Sequence, residues 1–143
     1  IDATGLGYPE EVKLVELCQK YDMFTSVYAT TPEEAQQMAR AGADIISPHV
    51  HLTAGGMIGA GEVPDLDLAC QKVEEMAQAA REVNPNIIVL AHGGPFEDPV
   101  SVQVAFDKTS VDGYLGASSV ERLPVERAIT QIVQEFKALK LHK

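Results

Sequence analysis

Three histidines supply the side chains best suited to proton transfer or metal binding. His92 follows an apolar run and precedes two glycines, and a neutral imidazole can donate or accept a proton near pH 7. His49 and His51 are two residues apart, so they share one face of an extended chain and could together bind a metal or a substrate oxygen. A third ligand could be Asp44, Glu62 or His92, and the spacing does not select among them. The alternative for all three histidines is a structural position with its hydrogen bonds satisfied by protein or solvent.

Two short segments rich in glycine and serine have the composition of an anion site. Glycine allows a positive φ and a close approach of the backbone to a ligand, while serine adds hydroxyl and backbone N–H donors ahead of a helix. We therefore expect a small phosphorylated or carboxylated ligand to be bound by residues of these two segments, namely Gly93, Gly94, Gly116, Ala117, Ser118 and Ser119. The alternative is that they are ordinary turn glycines and a serine helix cap.

Two further features are expected to contribute to the same site. Arg122 suits a carboxylate or phosphate, and Glu121 beside it would act in catalysis; the alternative is a solvated pair ahead of a helix. Residues 53–61 contain four glycines in nine positions, Gly55 and Gly56 among them, and are expected to form a lid or ligand clamp.

Composition limits the class of protein. The 143 residues are 45% hydrophobic, which is typical of a folded globular domain. A net charge of −10 argues against nucleic-acid binding, yet a small anion can still be held by backbone N–H groups. No apolar run is long enough for a membrane span, and Cys18 and Cys70 suit buried thiols in a reducing cytoplasm. The chain starts at Ile1 and not at Met, so we expect that residues can precede it.

The elements that must position these residues alternate along the chain. Periodicity, caps and turn residues predict helices over residues 9–21, 31–41, 65–83 and 98–108 and from 124 onwards. Strands are predicted over 23–29, 43–47, 87–90 and 111–115, with a long glycine-containing loop over 48–64. Alternation of this kind indicates a parallel sheet covered by helices, in a single domain spanning 1–143.

The loops favour half of a barrel over an open doubly wound sheet. The histidines and both glycine segments follow predicted strands, and barrels often build a phosphate site from the loops after their last two strands. No glycine fingerprint of a nucleotide-binding fold occurs. We therefore predict the C-terminal half of a (β/α)8 (TIM) barrel. Because its edge strands would be unpaired, we expect a homo-oligomer or pairing with a missing N-terminal half, and not a stable monomer.

The motifs also resemble a known family. The residues that carry this resemblance are Ala41-Gly42-Ala43-Asp44, His49, Leu52-Thr53, Gly55-Gly56, Ile58-Gly59-Ala60, His92-Gly93-Gly94-Pro95, Gly116-Ala117-Ser118-Ser119 and Glu121-Arg122-Leu123-Pro124. Together they resemble the phosphoenolpyruvate hydrolase-like family, also called TIM-barrel signal transduction proteins. The resemblance covers the second half of the family's barrel domain.

The resemblance implies a barrel related to the phosphoenolpyruvate and pyruvate superfamily, whose enzymes act on phosphonopyruvate or similar 2-oxo acids, usually with Mg²⁺. The acidic metal ligands of that superfamily lie largely on early strands, which are absent here. The leading expectation is a hydrolase or lyase acting on a small phosphorylated or phosphonate 2-oxo acid, with His92 or His49 moving protons. The alternatives are a non-enzymatic signalling or protein-interaction module and a truncated product that folds only by self-association.

Overall fold

The computed structural model describes residue 5 and residues 7–53, 56–62 and 64–140. Within that part of the chain, four strands form one parallel sheet in the order β1-β2-β3-β4. The strands are β1 (Ser26–Ala29), β2 (Ile45–Pro48), β3 (Ile88–Ala91) and β4 (Gly113–Tyr114). Each consecutive pair is joined by a helix, so the predicted alternation is confirmed.

Five helices accompany these strands, and their starts follow the expected capping chemistry. They are α1 (Tyr8–Lys20), α2 (Pro32–Ala41), α3 (Leu66–Val83), α4 (Pro99–Lys108) and α5 (Leu123–Lys137). The Thr31 hydroxyl accepts from the Glu34 N–H at the start of α2, and the Asp98 carboxylate accepts from two N–H groups at the start of α4. At the end of α2, Gly42 adopts a φ of 95°, which glycine tolerates best. None of the helices described is both long enough and apolar enough to cross a membrane.

The core lies between one face of the sheet and helices α2 and α3. Ala29, Ile46 and Val89 project from that face and are completely buried. Small side chains such as Ala35 and Ala77 on the facing helices are buried as well, and they allow close packing against the strands. The opposite face is less covered, because Tyr28 is 48% exposed and Ile88 is 39% exposed.

Two predicted strands are longer than the observed ones, for identifiable local reasons. The strand predicted from residue 23 begins only at Ser26, because the Met23 N–H donates to the Cys18 carbonyl at the end of α1. The strand predicted over 111–115 is limited to Gly113–Tyr114. There the Asp112 carboxylate accepts from the Val89 N–H at 2.7 Å, so a side chain replaces part of the ladder.

Two methionines test where the core lies. Met38 is 1% exposed and Met57 is 87% exposed. We expect Met38→Ala to lower the free energy of unfolding by about 2–5 kcal/mol, because it removes buried apolar contacts and leaves a cavity. The matched change Met57→Ala should shift it by less than about 0.5 kcal/mol. Urea unfolding followed by circular dichroism measures both, and equal losses would contradict this assignment of the core.

Candidate active site at the carboxyl ends of the strands

The loops after β2, β3 and β4 meet at the carboxyl ends of the strands. His49 and His92 form a parallel bridge one residue beyond β2 and β3, and the Leu115 N–H donates to the Ala91 carbonyl at 3.0 Å. These loops enclose a cavity of about 380 Å³. Its walls include the following site candidates predicted from sequence: His49, His51, His92, Gly93, Ser118 and Arg122. Ala117 and Ser119 line it too. The loops after β3 and β4 therefore lie side by side, as predicted.

Three aromatic rings form a cluster beside this cavity. The centroids of the His49 and His92 rings are 5.0 Å apart, and the Tyr28 ring stacks on His92 at 4.8 Å. Tyr28 also meets His49 edge to face at 5.4 Å. Sequence reasoning missed Tyr28, although its position near the end of the first strand is the signal that could have identified it.

The hydrogen bond of His92 fixes which of its nitrogens is protonated. Nδ1 lies 2.8 Å from the Leu115 carbonyl oxygen, which can only accept, so Nδ1 must carry a proton. In the neutral ring Nε2 is therefore the basic atom. His92 is buried, so it combines the two predicted alternatives: a structural hydrogen bond on one side and a nitrogen suited to proton transfer on the other.

His49 is held by the backbone and kept neutral by its surroundings. Its N–H donates to the Ala29 carbonyl at 2.8 Å, which extends the β1–β2 pairing. Burial lowers the pKa of the His49 imidazole, and the neighbouring His92 lowers it further, because a charged ring would be poorly solvated and repelled by a second positive charge. His49 is therefore a neutral hydrogen-bonding group at pH 7.

The predicted metal pair is only partly assembled. His51 lines the same cavity as His49, but β2 ends at Pro48 and the exposed His51 ring approaches the Leu52 carbonyl at 3.1 Å. Asp44 is excluded as a third ligand, because its carboxylate lies at the other end of β2 and accepts from the N–H and hydroxyl of Thr25. The described part of the chain contains no group of three or more His, Cys, Asp or Glu side chains arranged for a metal ion.

Glu62, the other candidate ligand, is exposed and is not among the residues of the cavity wall. His92 does lie beside His49, yet among the described residues no carboxylate joins the two imidazoles to complete a site. The predicted pair, His49 and His51, lines one cavity, and within the part of the chain that is described neither Asp44, Glu62 nor His92 completes a three-ligand set with it.

The glycines of the two loops have different tasks. Gly93 lines the cavity with a φ of 126°, as expected. The Gly94 N–H donates to the His51 carbonyl at 2.7 Å, and a Cβ on Gly94 would collide with the Leu52 carbonyl. Gly94 therefore serves loop packing, and its N–H is not available to a ligand. The expected positive φ is absent at Gly94 and at Gly116, whose Cβ would instead meet Val120 Cγ2 at 2.5 Å.

Three residues of the turn after β4, Ala117, Ser118 and Ser119, line the cavity. The Ala117 carbonyl accepts from the N–H groups of Val120 and Glu121, and the Ser118 carbonyl accepts from those of Arg122 and Leu123. Within the described residues, the N–H groups of 117–119 donate to no protein acceptor. A run of such donors ahead of α5 suits an anion.

The two serine hydroxyls differ. The Tyr114 hydroxyl donates to the Phe96 carbonyl at 2.8 Å, so at 2.6 Å it must accept from the Ser119 hydroxyl. Ser119 is thus engaged with Tyr114, whereas Ser118 lines the cavity without such a contact among the described hydrogen bonds.

Arg122 is anchored from α5. Its Nη1 lies 3.0 Å from Glu126 Oε1, and Glu126 Oε2 accepts from the Met57 N–H at 3.0 Å. These contacts lower the pKa of the Glu126 carboxyl and tie the glycine-rich loop to the start of α5. Sequence reasoning missed Glu126, although its i,i+4 spacing from Arg122 is a recognisable signal.

The remaining predicted residues lie elsewhere. Gly56 adopts a φ of 85° and packs against the Arg122–Glu126 pair, where a Cβ would collide with both side chains. Glu121 is exposed and is not part of the cavity wall, so the structure does not bring it to the predicted site. Gly55 lies outside the described residues.

The lowered pKa of His49 has a measurable consequence. We expect His49 to take up its proton at a pH below the ordinary imidazole value of about 6.5. The unfolded chain then binds this proton first, so the free energy of unfolding should fall as the pH drops below about 6.5. NMR titration of the histidines in the wild type and in His92→Gln measures the pKa of His49. In the variant this pKa should lie closer to 6.5, because the neighbouring positive charge is removed. An identical His49 titration in both proteins would contradict the coupling of the two rings.

Comparison with known proteins places this geometry in a wider context. Over 142 residues the chain is 42% identical both to the ToMV resistance protein Tm-1(GCR237) and to the ToMV susceptible protein tm-1(GCR26) of Solanum lycopersicum. The match covers 99% of this chain but only 19% of either relative, so the chain spans about a fifth of their length.

A solved structure and a family model add to this. The crystal structure of 2,3-dimethylmalate lyase, a PEP mutase/isocitrate lyase superfamily member, superposes with a TM-score of 0.55 at 14% identity. The superposed region covers 76% of this chain and 42% of the lyase chain. This similarity of fold is consistent with part of a TIM barrel. The model of the Phosphoenolpyruvate hydrolase-like family matches residues 1–139. The chain belongs to the phosphoenolpyruvate hydrolase-like family.

Proposed function

We propose that the chain binds a small phosphorylated or phosphonate 2-oxo acid in the cavity at the strand ends and takes part in its hydrolysis or in C–C or C–P bond cleavage. The observation that carries the proposal is the convergence in one cavity of a basic imidazole nitrogen, a guanidinium and a turn with unused amides. The fold similarity to 2,3-dimethylmalate lyase supports this chemistry at the class level.

The anionic end of the ligand would lie against the turn after β4. The amides of Ala117, Ser118 and Ser119 supply donors that add no formal charge, in keeping with an acidic protein. Arg122 supplies the guanidinium, and its pairing with Glu126 holds it in one orientation. Phosphate and carboxylate are the groups that such a donor set binds best.

Proton transfer would fall to His92. With Nδ1 donating to the Leu115 carbonyl, Nε2 can accept a proton, and the same carbonyl then stabilises the imidazolium that forms. His49 is neutral at pH 7, so it would offer a hydrogen bond to a substrate oxygen. Tyr28 stacks on His92 and restrains the orientation of the ring.

The Mg²⁺ that the family resemblance implies does not fit the donor set of the described residues. Mg²⁺ prefers carboxylate, carbonyl and water oxygens, whereas this cavity offers imidazoles and N–H donors. We therefore assign no step of the reaction to a cation.

The tomato relatives support a second candidate function, because their names record susceptibility and resistance to a virus. In that case the barrel would be a binding module for signalling or protein interaction. Ligand binding without turnover at any substrate concentration would favour this second function over the first.

Arg122 provides the test of anion binding. We expect Arg122→Gln to weaken binding of phosphonopyruvate at least about tenfold, because a charge-assisted contact is lost. Arg127→Gln is the matched control, since Arg127 lies on α5, five residues beyond Arg122, but outside the wall of this cavity. Calorimetry with phosphonopyruvate, phosphoenolpyruvate and inorganic phosphate makes the comparison. Equal affinities in the two variants, or no binding of any probe by the wild type at millimolar concentration, would overturn the anion site.

His92 provides the test of catalysis. We expect His92→Gln to lower turnover of the bound 2-oxo acid by about 10²–10⁴-fold while changing its affinity little, because a general acid–base group is removed. His51→Gln leaves the His49 and His92 rings in place and should retain most of the activity. Release of phosphate or pyruvate measures the rates. Unchanged turnover in His92→Gln would rule out the proposed role of this histidine.

A further inference from the structure

The side chain of Tyr114 lies between the two loops that form the candidate anion site. Tyr114 is the last residue of β4, and it lines the cavity at the strand ends. Because β4 pairs with β3, Ala91 at the end of β3 lies beside Tyr114 in the sheet. The loop after β3 and the turn after β4, residues 116–119, therefore both begin close to this residue.

The Tyr114 hydroxyl makes a hydrogen bond to each of these segments. It donates to the Phe96 carbonyl in the loop after β3 at 2.8 Å, and it accepts from the Ser119 hydroxyl at 2.6 Å. Phe96 is completely buried, and its N–H donates to the Gly93 carbonyl at 3.1 Å. The phenol is thus attached to a buried, hydrogen-bonded loop on one side and holds the turn on the other.

The turn also packs closely against the tyrosine ring. A Cβ on Gly116 would lie 3.2 Å from Tyr114 Cε1 and 2.5 Å from Val120 Cγ2. A larger residue at this position would therefore displace the ring or the turn. Gly116 does not adopt a positive φ, so close packing, and not backbone conformation, explains a glycine here.

Few other contacts hold the turn against the sheet. The carbonyls of Ala117 and Ser118 accept only from N–H groups between residues 120 and 123, at the start of α5. In the part of the chain that is described, one hydrogen bond joins residues 116–119 to the strands or to the loop after β3, and it is the bond between Ser119 and Tyr114. The position of the turn relative to the sheet therefore depends on this phenol.

The two hydroxyls of this contact are committed to each other and to the protein. The single proton of Tyr114 is used by the Phe96 carbonyl, and the proton of Ser119 is used by Tyr114. The donors that the turn keeps for an anion are then its backbone N–H groups, since those of residues 117–119 donate to no acceptor among the described residues.

We propose that Tyr114 is a positioning residue for anion binding, which holds residues 117–119 at the cavity wall through the Ser119 hydroxyl. This role rests on the proposed function, in which the amides of the turn bind the anionic group of the ligand. A turn that is held in one arrangement before the ligand arrives does not have to be ordered by the ligand, so the affinity is higher. Because Tyr114 shapes the turn and does not contact the anion, it affects different anions alike.

An NMR titration of the chain tests this role. In the wild type, inorganic phosphate and phosphonopyruvate should each shift the amide resonances of residues 117–119. We expect Tyr114→Phe, which keeps the ring and removes only the hydroxyl, to weaken binding of both probes about three- to tenfold. Tyr21→Phe is the matched control, because Tyr21 is 73% exposed beyond the end of α1 and does not line the cavity. This control should bind both probes as the wild type does.

Two further variants separate positioning from a general loss of structure. Ser119→Ala should also weaken binding, and the double variant should bind no more weakly than Tyr114→Phe alone, because both changes remove the same hydrogen bond. Gly116→Ala keeps both hydroxyls but displaces the turn, so it should weaken binding too. In Tyr114→Phe the Michaelis constant should rise while turnover at saturating ligand stays within about twofold, because His92 is unchanged.

Circular dichroism checks that each variant is folded, and Ser119→Ala carries the test if Tyr114→Phe does not fold. Binding by the wild type that neither of these variants weakens would overturn the role of Tyr114 and leave the proposed function standing. Additive losses in the double variant would overturn it as well, since the two residues would then act separately. A wild type that binds neither probe at millimolar concentration would overturn this role together with the proposed function.

Discussion

The parallel pairing of β2 with β3 does not stop where the strands end. It continues to a bridge between His49 and His92, and the loops that follow are then joined by the hydrogen bond from the Gly94 N–H to the His51 carbonyl. This continuation places the His49 and His92 rings in direct contact, with their centroids 5.0 Å apart. The two loops also form one wall of the cavity. A slip of β2 against β3 by one residue would turn either His49 or His92 to the helix-covered face and separate the two rings, so the candidate site depends on this pairing.

The same contact explains why two glycines follow His92. The loops approach so closely that a Cβ at Gly94 would collide with the Leu52 carbonyl, and Gly93 adopts a φ that disfavours other residues. From the sequence, both Gly93 and Gly94 are expected to bind the ligand. In the structure Gly93 lines the cavity and Gly94 supports the neighbouring loop, because the backbone that needs the space at Gly94 belongs to the protein itself.

Features encoded locally were predictable, and features created by pairing were not. Caps and prolines at Thr31, Asp98 and Pro99 indicate helix starts directly, and the structure has helices there. The gathering of loops at one sheet edge follows from parallel topology alone. Tyr28 and Glu126 were missed because their roles arise from a strand register and from a loop that folds back onto α5. Asp44 remains one of three alternatives for a third ligand in the sequence, and only the structure excludes it, because its carboxylate lies at the amino end of β2 and accepts from Thr25.

Helix α5 links the cavity to an exposed apolar surface. Glu126 in its first turns pairs with Arg122, which lines the cavity just ahead of the helix, and its later turns carry exposed apolar side chains. Because one rigid helix bears both, whatever covers these side chains also constrains the guanidinium through Glu126.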